Sequence, residues 1–393
     1  MTRTALGHAE YQEFAFPCNG CGVEIRYGMD LDQKKADWAY TKLINAEWIK
    51  SEKEPDEIDV RVFDTETLIP LDIGTFFSPF IRTAHLPRDA KRYHRDRTCR
   101  IKLCQEVWPV LRKLKIHFEN RNWKLYQKEW QLIDPDFNES RELWLVAHFF
   151  RQLHRFGELF RPFSEADSQL LRQRINLAES ISPKACSQLR EYFDGLGWSE
   201  HLFSELYSIK DRWVNIYGIV QPIYLSLYWD ERKNSLDDFA VSQKRFDELK
   251  PLFVDIYETL CRVSVIAGAF EGIIFSGNPV IPNEAREITV DEYRGTDNGK
   301  KFELFQRLVP ARCFTQMSES TMRNGIGHHS AHYEVKNDVI RYRKENKKGI
   351  KSFEISYTRF CDALVRLYGQ FDVASVYVNW LLARKAGLTG KVV

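Results

Sequence analysis

Arg323, Asn324 and His328 fall within the stretch TMRNGIGHHSAHYEV, with His329 and His332 just after them. Three of the chain's ten histidines are gathered there, beside Gly325 and Gly327. On a helix, Asn324 and His328 stand at i and i+4 and share a face. Arg323 is about 100° around the axis, within reach of the same space through its long side chain. The three groups are a fixed cation, a neutral amide and an imidazole that titrates near neutral pH. That set suits phosphodiester chemistry: a guanidinium forks onto phosphate oxygens and an imidazole moves protons. His328 and His332 have the same i, i+4 relation on a helix, so a metal pair is an alternative reading, as is a solvated helix surface. Each glycine weakens a helix by about 1 kcal/mol relative to alanine, which close approach of a second backbone or of a substrate on that face would offset.

The elements that must hold these residues are mostly helical. Residues 1–87 read as a small β-rich region, with VEIRYGM, EIDVRVFD and ADWAYTKL as strands. Residues 88–230 form a helical middle region. In it CRIKLCQEVWPVLRKLKIHF is kinked or restarted at Pro109, and SRELWLVAHFFRQLHRFGELF is strongly amphipathic. Residues 231–393 form a third region, with a long helix from about 244, a loop over 276–300 and a short helix near 300–309. The histidine stretch, a hairpin with a charged tip and a last helix from about 359 to 385 complete it. The fold class expected is mainly α.

RNGIGH matches the R-x4-6-H signature of the HEPN (higher eukaryotes and prokaryotes nucleotide-binding) superfamily, with the polar residue that usually follows the arginine. The hairpin and terminal helix that follow resemble prokaryotic HEPN proteins of defence systems. The resemblance covers roughly the last 150 residues. It implies a helical, usually dimeric domain and a metal-independent endoribonuclease needing no catalytic cofactor. Arg323 and His328 would be catalytic and Asn324 supporting, with cleavage leaving a 2′,3′-cyclic phosphate and a 5′-OH. It also implies a toxin or abortive-infection antiviral role and a regulatory or defence-system partner protein. Two readings from other classes stand beside it: a non-catalytic helical dimerisation or nucleotide-sensing module, and a zinc-dependent nucleic-acid-binding protein.

Cys18 and Cys21 form C-x-x-C-G, the form of half a structural zinc site, with Cys99, Cys104, His8, His85 or His94 to complete it. Cys104 falls on an apolar helical position, which favours the core. Two basic runs, 88–102 and 341–351, suit RNA phosphates. Arg341, Arg343 and Lys344 would meet the backbone, Tyr342 and Tyr93 would stack on bases, and His329 and His332 would line the same surface. Net charge is only +2, so no global field selects a polyanion. Eight cysteines in 393 residues do not make a disulfide scaffold. The N-terminal residues lack an apolar signal core, and VSVIAGAFEGIIF is interrupted by Glu271 and short for a bilayer. A cytoplasmic protein without a membrane segment is expected.

Overall fold

The computed structural model describes residues 2–4, 11–17, 21, 23–32, 37–45, 60–62, 69–70, 87–162, 165–229, 235–241, 245–283, 286–309, 311–315, 322, 326, 331–334, 337–346 and 349–385. These are mainly helical, with small and mostly antiparallel sheets. The chain divides into two compact units that are not consecutive along it. One comprises Met1–Arg95, Asn215–Pro251 and Thr321–Val365; the other comprises Asp96–Val214, Leu252–Ser320 and Arg366–Val393. The three consecutive regions read from the sequence are therefore interleaved.

In the first unit, β1 (Tyr11–Pro17), β2 (Glu24–Asp32) and β3 (Asp37–Ile44) form an antiparallel meander. The expected strand 57–64 is described only at Val60–Val62. A second sheet joins β4 (His332–Glu334), β5 (Val339–Asn346) and β6 (Gly349–Ser356) in that order. Asp338 makes its sharp turn in the left-handed region at φ 54°. Its carboxylate accepts from the Tyr333 hydroxyl at 2.7 Å, and its carbonyl accepts the Tyr357 N–H at 3.0 Å. The start of the helix Tyr357–Lys385 is thereby tied to the sheet. Its first turn is also held by the Val241 N–H on the Thr358 hydroxyl and a fork from Arg359 onto Asp237.

In the second unit, Pro109 acts as expected and lacks the N–H for a regular turn. The helix Ala90–Lys102 widens to a π turn over Leu103–Val107 before Trp108–Glu119 begins. Glu142–Phe160, Glu165–Ile181, Pro183–Gly195 and Trp198–Val220 follow. The stretch 276–300 is not a plain loop. It contains a short antiparallel strand pair and the helix Val290–Gly295, which opens on a Thr289/Glu292 capping box. Gly272 lets the Val280 backbone cross the helix Phe246–Ser276, since a Cβ there would lie 1.4 Å from the Val280 carbonyl oxygen. Among the described residues this helix alone is long and apolar enough to cross a membrane. Its apolar part is mostly buried, and its Glu271 is forked by Arg174.

The centre of this unit is ionic. Asp372 is fully buried and accepts from Arg161 and Lys210, themselves nearly inaccessible. Arg161 also donates to Ser168 at 2.5 Å and lies 3.3 Å from His154, whose other nitrogen meets Arg172. Burial raises the Asp372 carboxyl, but Arg161, Lys210 and His154 outweigh it and hold it at about 2. A Cβ on Gly157 would fall 1.7 Å from an Asp372 oxygen, so only glycine leaves room for the carboxylate. Aromatic rings surround the ions, with Trp213 stacked on Tyr368 at 3.9 Å and the Lys210 ammonium near the Phe156 and Tyr368 rings.

Asp372→Ala strands two buried cations and should lower the unfolding free energy by about 3–5 kcal/mol in urea titration. The double variant with Lys210→Met should recover part of that loss, whereas additive losses would contradict the pairing. Two histidines set the acid limit. Burial pushes His148 down to about 4, helped by Arg151 and Arg155. Burial also pushes His154 down to about 3, with Asp372 opposing and Arg161, Arg172 and Lys210 adding to it. Both stay neutral when folded, while an unfolded histidine protonates near about pH 6.5. Their contribution is complete above that pH and is lost as pH falls through 4 and 3. The melting temperature should drop from pH 7 to 4, less steeply in His148→Gln; a flat profile would contradict this.

Candidate functional site

Arg323, Asn324, His328 and His329 lie outside the described residues, as do Cys18, His8 and His85. What is described brackets the histidine stretch. Met322 and Ile326, four residues apart, are each helical and buried. Ala331 is buried, and its carbonyl is 3.5 Å from the Lys250 ammonium.

His332 corrects one expectation. It is the first residue of β4, paired with Arg341, so a helix cannot run through it and the i, i+4 relation to His328 is lost. The metal reading of that pair loses its helical basis. His332 instead joins an exposed face of the sheet. Arg341 sits opposite both His332 and Glu354, and Arg343 follows two residues on, on the same side. Ile340 and Tyr342 alternate inward.

Tyr342 is therefore not a stacking platform for a base. It is 7% exposed and stacks on Phe353 at 5.5 Å with a 12° interplanar angle. Tyr93 is equally buried, edge to face with Tyr228 and His94. Arg341 is exposed but divides its charge between Glu334 at 2.6 Å and Glu354 at 3.0 Å, and the Glu354 hydrogen bond raises its pKa further. Arg343 is exposed, and Lys344 is part of β5. What this surface presents to a polyanion is thus a partly neutralised patch. In the first basic run, Lys91, Arg92 and Arg95 are exposed, whereas Arg100 is buried and donates to the Leu159 carbonyl.

Cys21 is exposed in a turn. Of the residues that could complete a zinc site, Cys99 and His94 are exposed, while burial pushes the Cys104 thiol up to about 12. Cys104 is half-buried rather than in the core that its helical spacing suggested, and its raised thiol does not suit a thiolate ligand. Among the described residues no three of His, Cys, Asp and Glu come together as a metal site. No family model, curated protein or solved structure matches the chain.

Tyr342→Ala should destabilise the fold by about 3 kcal/mol through loss of a buried ring, leaving RNA affinity of the folded protein unchanged. Arg343→Glu should do the reverse. Thermal melts paired with filter binding separate the two, and a Tyr342→Ala protein that melts normally but loses RNA would restore the stacking role.

Proposed function

We propose that the protein is a metal-independent endoribonuclease of the HEPN type. The observation that carries this reading is the RNGIGH spacing, in which one cation, one amide and one imidazole fall within a helical turn and a half. The helical, buried state of Met322 and Ile326 supports it, because those two positions are apolar anchors beside the reactive residues. On the exposed sheet face, where Arg341 is already shared between two glutamates, Arg343 and His332 are the groups that would meet RNA phosphates.

In this mechanism the ribose 2′-OH attacks the adjacent phosphorus and the 5′-oxygen of the next nucleotide leaves. His328 handles the proton transfers, Arg323 stabilises charge on the phosphorane oxygens, and Asn324 orients the phosphate. Two copies of the chain, approaching at Gly325 and Gly327, complete the site. Zinc at Cys18 and Cys21 would be structural. The biological role that fits is a toxin or antiviral effector held inactive, by a partner protein of its defence system, until a trigger arrives; that role rests on the resemblance.

Purified protein should degrade single-stranded RNA in excess EDTA. Arg323→Ala and His328→Ala should each lose about 100-fold or more in rate with unchanged circular dichroism. Cleavage that survives both substitutions, or that requires added magnesium, would contradict the assignment.

A further inference from the structure

The second unit contains a cavity of about 730 Å³ that the RNA reading does not use. Its floor is apolar and buried, formed by Val146, Phe203 and Leu382. Its walls are the half-buried rings of Phe118, Trp123 and Phe150. Its exposed rim carries the carboxylates Glu119, Glu142 and Glu200 against the single guanidinium of Arg121.

The rings are set nearly at right angles. Phe118 meets Trp123 at 78° and 6.0 Å, and Phe150 at 82° and 5.7 Å. Phe150 in turn meets Phe203 at 72° and 5.7 Å. Perpendicular rings bound one volume from several directions, as in sites that hold alkylated ammonium ions against π faces. The rim charge acts in the same sense. Glu119 is partly satisfied by Lys115 at 2.6 Å, but the lining remains acidic and would repel a phosphate or carboxylate ligand. The volume falls within the range of small-molecule sites, roughly 300–1,000 Å³, and far exceeds what a bare metal ion needs. The three glutamates are also not gathered as a metal-binding group.

We propose that this cavity binds a small organic ammonium ion bearing apolar substituents, with Trp123 against its methyl groups and Glu142 facing its charge. The site is independent of the nuclease reading and stands whether or not RNA is cleaved.

The test is calorimetric titration of the full chain with choline and with its uncharged isostere 3,3-dimethyl-1-butanol. Choline should bind one per chain, at least about tenfold tighter than the isostere. Trp123→Ala should weaken choline by about tenfold or more. Should that variant misfold, the rim variant Glu142→Gln serves in its place: choline should weaken severalfold while the isostere is unaffected. Equal binding of choline and isostere would reduce the site to a plain apolar hollow and overturn the proposal. So would an absence of saturable choline binding below about 10 mM, which corresponds to a free energy too small for a built site.

Discussion

One buried carboxylate organises the second unit. Asp372, on the last helix, is met by Arg161 from the end of Glu142–Phe160 and by Lys210 from Trp198–Val220. Ser168 and Arg172 bring in Glu165–Ile181 through Arg161 and His154. Four helices thus converge on a single negative charge. Such a cluster is not a source of large net stability, because desolvation offsets most of the attraction. Its value is directional. An apolar core tolerates sliding of one helix past another, whereas an ion pair without water has one register that satisfies it. Gly157 belongs to the same constraint, since any side chain there would occupy the place of the carboxylate.

Around that point the packing follows from shape and polarity. Trp108 lies between Phe156 and Tyr207 and donates its indole N–H to Asp211. Trp380 packs on Phe270, donates to Glu179 and carries the Arg190 guanidinium over its face. In the first unit the corresponding fixed point is the Asp338 turn, which binds Tyr333 by its side chain and Tyr357 by its backbone.

Much of this was legible in the sequence where periodicity was strong. The helix Glu142–Phe160, the π-widened break at Pro109, the β5–β6 hairpin and the final helix all follow local patterns. The stretch 276–300 misled because its glycine and proline content suggested a loop, although Thr289 and Glu292 already spelled a capping box. His332 was placed on a helix because its strand partner, Arg341, lies beyond a turn that periodicity does not reveal. Tyr342 was read as a base platform from its charged neighbours. The alternation of Ile340 and Tyr342 with Arg341 and Arg343 would have turned it inward. The Asp372 cluster had no signal at all, since Arg161 is 211 residues away and each charge read alone looks solvated. The aromatic cavity draws on five helices and is equally invisible from any one of them.

The functional reading depends on chemistry that a few residues must perform without a metal. A site built from Arg323, Asn324 and His328 supplies no hard carboxylate cage, so its nucleophile is taken to be the substrate's own 2′-OH. The direct measurement is the terminal chemistry of the RNA fragments produced in EDTA. The account predicts a 2′,3′-cyclic phosphate on one fragment and a 5′-hydroxyl on the other, with no cleavage where a 2′-O-methyl group precedes the scissile bond. Fragments bearing a 5′-phosphate and a 3′-hydroxyl, or equal cutting of DNA, would contradict it.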